Sequence, residues 1–316
     1  MLEMYELQQM QSLPLELKVR KTENRIYEWY NHYQGNVYVA FSGGKDSTVL
    51  LDIVRKQYPN VPAVFVDTGL EYPEIRDFVK TIDNVVWLKP EMNFKKVIET
   101  YGYPVISKRI SRYVSDLQNP TEKNVATRNL RLTGMNQKGE YCPSMVLSKK
   151  WRYLVEAPFK ISDKCCDVMK KGPMKKYVKE TGRVPFTGEI AAESRMRMQT
   201  YLRQGCNGFN LKSPKSTPMG FWLEQDVLHY LKDNSIPYSK IYGNIVEKNG
   251  ELVCTGEQRT GCMFCMFGVH LTKGENRFQR MKRTHPSQWK FCINQLGLGE
   301  ILDYINVDYG KDTFWW

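Results

Sequence analysis

The sequence predicts an α/β fold: a parallel sheet with helices on both faces, followed by a cysteine-bearing C-terminal segment. Over the first hundred residues, short β-branched and aromatic runs alternate with segments whose apolar residues recur at helical spacing, the pattern of strand–helix–strand units. A glycine-containing hexapeptide, Ser42-Gly43-Gly44-Lys45-Asp46-Ser47, falls between the first such strand and its helix, at the sheet edge where open α/β folds bind ligands. The chain has 316 residues, 41% of them hydrophobic and 25% charged, enough to bury a substantial core in one large or two modest domains.

Residues 15 to 33 read as an amphipathic helix with Leu15, Val19, Ile26, Tyr30 and Tyr33 on one face and Lys18, Lys21 and Glu28 elsewhere; Gly35 ends it. Asn36 to Phe41 is the first strand, and a helix follows from Thr48, with Val49, Leu50, Ile53 and Val54 at its spacing. Val61 to Asp67 and Asn84 to Lys89 are the next strands, with a helix opening near Pro73-Glu74 and another at Phe94 to Tyr101. From Pro104 to Lys160 scattered apolar residues and turn formers predict helices and loops inserted beside the sheet. Val184 to Gly188 is a short strand, Ala191 to Tyr201 a helix, Gly208 to Ser213 a last strand and Phe221 to Asp233 a helix. The organisation expected is an N-terminal helical segment (1–35), a nucleotide-binding α/β domain (36–215) with a basic insertion at about 104–183, and a C-terminal region (216–316).

Composition narrows the function. No apolar run is long enough to span a bilayer, and Glu3, Glu6 and Glu16 stand where a signal peptide would be basic and then apolar, so a cytoplasmic protein with no membrane partner is expected. The net charge of +12 is regional, since Tyr103 to Arg183 holds 18 Lys and Arg against 7 Asp and Glu. Such a region favours polyanions, and nucleic acid is the candidate partner. A solvated lysine-bearing helix face reads equally well there.

In the hexapeptide, two glycines let the backbone approach a ligand, the helix start offers free N–H groups and Lys45 adds a cation, together a phosphate cradle. The wide glycine spacing of a Walker A loop is missing. The hexapeptide resembles instead the PP-loop of the ATP pyrophosphatase superfamily. That resemblance implies ATP with Mg²⁺ over Ser42, Gly43, Gly44, Lys45, Asp46 and Ser47, with Lys45 and Asp46 taking part in catalysis, as the enzyme adenylates its substrate and releases pyrophosphate.

Cysteines form a second constellation. Cys165-Cys166 and, after 95 intervening residues, Cys262-x-x-Cys265 make two close pairs that suit a zinc ion or an iron–sulfur cluster. Cys254 and His270 flank the second pair as reserve ligands, and Cys142, Cys206 and Cys292 read as structural.

Further stretches, in order, resemble the phosphoadenosine phosphosulfate (PAPS) reductase family of that superfamily: Asp67-Thr68-Gly69 with Pro73-Glu74; Cys165-Cys166 with Lys171 and Pro173; Thr187-Gly188 with Glu193-Ser194-Arg195; and Trp222, Asp226-Val227, Pro237-Tyr238 and Tyr242, then Gly261-Cys262 and Cys265. The resemblance implies a Rossmann-like (adenine nucleotide alpha hydrolase-like) sheet. It also implies a nucleotide site that adds Asp67, Thr68, Gly69, Gly188 and Arg195 to the loop, and a 4Fe-4S cluster on Cys165, Cys166, Cys262 and Cys265, as in adenylyl-sulfate reductases and DNA phosphorothioation proteins. Three departures weaken the reading as an adenylyl-sulfate or PAPS reductase. The family's Glu-Cys-Gly-Leu-His tail motif is missing, Ile190 and Ala191 replace a pair of arginines, and the loop is intact as in ATP-binding members. The expected function is therefore an ATP-using enzyme that adenylates an acceptor, plausibly nucleic acid, and supports sulfur transfer, with a sulfur-donor protein as partner; a thiol-dependent reductase and a non-catalytic iron–sulfur nucleic-acid-binding protein are the alternatives.

Overall fold

Ten strands lie among residues 2–311, the residues described by the computed structural model, and β-branched or aromatic residues dominate the longer strands of the main sheet. The ten are β1 Val37–Ala40, β2 Ala63–Val66, β3 Val85–Leu88, β4 Val105–Ile106, β5 Val184–Thr187, β6 Asn207–Gly208, β7 Lys215–Ser216, β8 Ile245–Lys248, β9 Glu251–Cys254 and β10 Met266–Phe267. The chain divides into two compact units. The first comprises residues up to Asp67, Glu71–Lys89 and Pro173–Thr260; the second comprises Thr68–Leu70, Pro90–Gly172 and the residues from Gly261 onward.

The first unit is built on a six-stranded sheet of order β3-β2-β1-β5-β7-β6. It is parallel except for the β6–β7 pair, and its register sets Val39 beside Ala63 and Ala40 beside Thr187. Val37, Tyr38 and Val39 are all buried, so both faces of β1 are covered, as a parallel sheet requires. Tyr38 and Val64 pack on one face against Met174, Tyr177 and Val178. The helix Lys45–Gln57 lies along β1 and β5 and buries Val49, Leu50, Ile53 and Val54, the residues its spacing predicts.

Three expectations fail here in part. The helix Leu15–His32 buries Ile26 as predicted, but with Lys18, Thr22 and Trp29, while Leu15, Val19, Tyr30 and Tyr33 are only half-buried. The rotation follows from distant polar partners, because Lys18 Nζ sits 2.6 Å from Asp226 Oδ2 and Thr22 Oγ1 accepts from Trp222 Nε1 at 2.9 Å. The strand expected at Gly208 to Ser213 is reduced to β6, and residues 209–214 loop across to β7. Leu211 folds over Gly208 so closely that a Cβ there would meet its side chain. The helix expected over Ala191 to Tyr201 splits into a 3₁₀ turn, Ala191–Glu193, and a helix Arg195–Gln204, because Ser194 Oγ caps the latter by accepting from the Arg197 N–H at 3.2 Å. Between β8 and β9, Asn249 and Gly250 have φ of 54° and 80°, the paired positive angles of a two-residue hairpin turn.

The second unit holds the parallel pair β4–β10, with Val105 beside Met266 and Ile106 beside Phe267. Around it lie the helices Lys108–Gln118 and Val125–Thr133 and a C-terminal group, Arg277–Thr284, Pro286–Lys290 and Leu298–Tyr304. The stretch from 104 to 160 is thus mostly helices and loops, as its composition predicts, with the short strand β4 in addition. Gly102 has φ 106°, and a Cβ there would lie 2.4 Å from the Lys160 carbonyl carbon, so no other residue fits. Among the described residues no helix is long and apolar enough to cross a membrane.

Lys18 is 2% exposed, and Asp226 also accepts from the Leu223 N–H at 2.7 Å. Removing one member of a buried pair leaves the other charge without compensation. Lys18→Ala is expected to lower unfolding stability by about 3 kcal/mol in urea titration, and a loss below about 0.5 kcal/mol would contradict the pairing.

Candidate active site

The hexapeptide connects β1 to its helix, and the helix starts at Lys45, three residues earlier than its apolar spacing predicts. Lys45 and Asp46 therefore belong to its first turn. Gly43 has φ 71°, and a Cβ there would lie 2.8 Å from Ile75 Cγ2 and 2.9 Å from Val79 Cγ2. The serines brace the loop: Ser47 Oγ donates to the Gly44 carbonyl at 2.9 Å, and the Ser42 N–H donates to Ser47 Oγ at 3.2 Å. At the end of β5, a Cβ on Gly188 would stand 3.0 Å from both Asp46 C and Ser47 N. β5 thus meets the loop backbone to backbone. Above them opens a cleft of about 340 Å³, walled by loop residues, by Thr187 to Ile190 and by Tyr242 and Thr260. It lies at the point where the strand order reverses about β1, the place where such sheets bind ligands.

Charges of both signs converge on this cleft. Lys45 Nζ is 2.9 Å from Glu224 Oε1, 3.8 Å from Cys254 Sγ and 5.3 Å from the centre of the Tyr242 ring. The Lys45 N–H donates to Tyr242 Oη at 3.3 Å, and that hydroxyl is 2.6 Å from Thr260 Oγ1. Burial pushes the Tyr242 hydroxyl up to about 12, so it is neutral. Burial also raises the Asp46 carboxyl above its ordinary range, opposed by Lys45. Arg197 and Arg259 pair with Glu193 at the rim.

The four paired cysteines all fall in the second unit. Cys165 and Cys166 form a helical turn that runs into a π-turn, Asp167–Lys171, a distortion common at functional sites. Cys262 and Cys265 span a turn closed by the Cys265 N–H on the Cys262 carbonyl at 3.2 Å. Arg277 Nη1 clamps that turn by donating to the Cys262 and Cys265 carbonyls at 3.0 and 3.2 Å. Burial, and then the charges of Cys166, Cys262 and Cys265, push the Cys165 thiol far up, so the four groups lie within electrostatic reach of one another. Among the described residues, no three His, Cys, Asp or Glu side chains are arranged to hold a metal ion.

Residues 36–265 match the phosphoadenosine phosphosulfate reductase domain. The chain belongs to that family. It is 24% identical over 240 residues to an adenosine 5'-phosphosulfate reductase of Oceanobacillus iheyensis, covering 74% of this chain and 78% of that protein. It is also 24% identical over 296 residues to an uncharacterised protein of Methanocaldococcus jannaschii, covering 90% of this chain and 54% of that one. The chain thus spans about half the length of its archaeal relatives, 54% of one and 43% of another. A crystal structure of a PAPS reductase from Candida auris in a phosphate complex aligns with 72% of this chain and 87% of that one, at TM-score 0.40 and 17% identity.

Within this member of the PAPS reductase family, Ser42, Gly44, Lys45, Asp46, Ser47 and Gly188 line one cleft. Gly43 serves the turn beneath it. Arg195 is exposed and outside the cleft lining, where Arg197, two residues on, takes part. The Asp67 carboxylate accepts from Arg76 at 2.9 Å, and Thr68 and Gly69 belong to the second unit. Cys254 ends β9 in the first unit beside Lys45, apart in the chain's division from the four paired cysteines, and His270 packs edge-on against Trp151. Cys292 is fully buried, with its thiol donating to the Trp289 carbonyl at 3.3 Å, as its apolar neighbours predict. Sequence reasoning gave no role to Glu224, Arg259 or Thr260. The place of Glu224 in the first turn of the helix Glu224–Asp233 was the available signal for it.

The Tyr242 hydroxyl occupies an N–H that a bound phosphate would use. Tyr242→Phe is expected to cost the nucleotide-free protein about 1 kcal/mol in thermal unfolding, with the deficit shrinking at saturating ATP. An equal deficit with and without ATP would mean that the tyrosine keeps its bond when ligand is present.

Proposed function

We propose that this chain is an ATP-using enzyme of the PAPS reductase family that adenylates an acceptor and supports sulfur transfer. The observation that carries the reading is the composition of the cleft at the β1–β5 switch. An intact Ser-Gly-Gly-Lys-Asp-Ser loop faces Gly188, with carboxylates at Asp46 and Glu224 set among the cations Lys45, Arg197 and Arg259. Cations with helix N–H groups suit a polyphosphate, and interspersed carboxylates suit the Mg²⁺ that accompanies it. Asp46 fits this role because its buried carboxyl is held up by desolvation, a cost that a divalent cation beside it relieves. The acceptor's nucleophile forms a bond to the α-phosphorus while the bond to the bridging oxygen breaks and pyrophosphate leaves. Lys45, at the head of the helix, neutralises charge on that leaving group.

The donor set in the second unit suits an iron–sulfur cluster. Cys165 is within electrostatic reach of Cys166, Cys262 and Cys265, and a metal bound there would favour the thiolates that burial disfavours. Cys165, Cys166, Cys262 and Cys265 would hold a 4Fe-4S cluster, which supplies one-electron chemistry when bound; zinc is the lesser alternative. A cytoplasmic setting and a sulfur-donor protein as partner belong to this reading.

A second reading, reduction of adenylyl sulfate by a protein thiol, is favoured by the names of the bacterial relatives. Against it stands Cys292, whose buried position offers no path to a substrate sulfur.

Lys45→Ala is expected to abolish pyrophosphate release from ATP while leaving the far-UV circular dichroism unchanged; undiminished turnover would overturn the assignment. Protein purified without oxygen should be brown and contain about four iron atoms, and Cys262→Ser should lower both iron content and melting temperature. A colourless protein with stoichiometric zinc would contradict the cluster. A persulfide-free S-sulfo adduct on Cys292 after incubation with adenylyl sulfate would restore the reductase reading.

A further inference from the structure

We infer that the second unit carries a binding platform for single-stranded nucleic acid on the segment Lys149–Glu156. The inference deepens the proposal above by naming the class of acceptor, and it relies on that proposal only for the word acceptor. The surface itself rests on its own observations.

Lys149–Glu156 is a 3₁₀ helix of eight residues, long for a conformation in which residues three apart eclipse one another. Eclipsing sorts its side chains into rows. Leu154 is fully buried and anchors the row it shares with Trp151, while Lys149 and Arg152 make a second row and Lys150 and Tyr153 a third. All four of these last residues are exposed, and Tyr153 shows 40% of its surface.

Aromatic rings continue the surface on either side. The Trp151 ring stands 6.3 Å from that of Tyr153, which stands 5.6 Å from that of Tyr304, itself 36% exposed. Lys150 Nζ lies 4.8 Å from the centre of the Trp151 ring. Leu271, next to the His270 ring that packs on Trp151, is 74% exposed. From Lys138 to Lys160 the chain has five Lys and Arg against two Glu.

A merely solvated basic face has no cause to keep tyrosine rings in water, and an apolar partner would leave the cations unpaired. Ring faces interleaved with cations match a strand whose bases are unpaired and whose phosphates run alongside. A duplex hides those base faces, so the single strand is the occupant the chemistry selects.

The test is fluorescence anisotropy of labelled oligothymidylate with the full chain, without ATP, so that its outcome is independent of whether the cleft is catalytic. Affinity should fall with salt by about 0.7 logarithmic units per decade for each phosphate contact, and duplex of equal length should bind more weakly. Tyr153→Ala should weaken binding about tenfold. The double variant Lys149→Ala/Lys150→Ala should reduce the salt slope by about 1.4. These side chains are exposed, and circular dichroism checks that the fold survives. Absence of binding at low salt, or binding indifferent to both variants, overturns the inference. So does a protein dimer that sedimentation detects in the parent and not in Tyr153→Ala, which would assign the patch to a second copy.

Discussion

The contact on which the site depends is the approach of β5 to the first turn of the helix Lys45–Gln57, where a Cβ at position 188 would come within 3.0 Å of main-chain atoms of Asp46 and Ser47. Glycine at that point lets two parallel strands, β1 and β5, deliver their carboxyl ends to the same place. The strand order reverses there, so connections leave on opposite sides and a crevice opens between them. The loop serines, the helix N–H groups and the lysine all inherit their positions from that approach. A bulkier residue at 188 would push the strand end from the loop and disperse the cleft without touching any charged group.

Within the cleft the resting protein satisfies its own donors. Lys45 Nζ rests on Glu224, its main-chain N–H on Tyr242, and Tyr242 on Thr260. Phosphate binding on the loop would therefore be an exchange of partners, in which new charge-assisted bonds replace both the Lys45–Glu224 ion pair and the neutral Tyr242 bond. The thiols of the second unit are organised differently: burial, then Cys166, Cys262 and Cys265, raise the proton affinity of Cys165, with Lys170 opposing.

Much of the fold was legible because its determinants are local. The β1 strand, the hexapeptide and the apolar spacing of its helix lie within about twenty residues, and periodicity reports them directly. The loop's place between strand and helix followed from the same signals, whereas Gly188 entered as a site residue through the family resemblance. What was not legible depends on contacts distant in sequence. Lys18 reads as solvent-facing until Asp226, 208 residues away, is placed beside it, and that one pair turns the buried face of the helix Leu15–His32. Glu224 is an ordinary helix-start acid until Lys45 meets it from 179 residues away. Arg195 and Arg197 differ only in helix phase relative to the cleft, which Ser194 sets by capping the helix. Cys254 is close to Cys262 in sequence, yet the hairpin turn at Asn249-Gly250 carries it to Lys45 instead.

The central claim is that the β1–β5 crevice receives nucleotide phosphates on the loop. A crystal structure with Mg²⁺ and a non-hydrolysable ATP analogue tests it most directly. The account predicts phosphate density within hydrogen-bond distance of the Gly44 to Ser47 N–H groups, with Tyr242 Oη displaced from the Lys45 N–H. Nucleotide bound elsewhere on the chain, with the Tyr242–Lys45 bond intact, would contradict it.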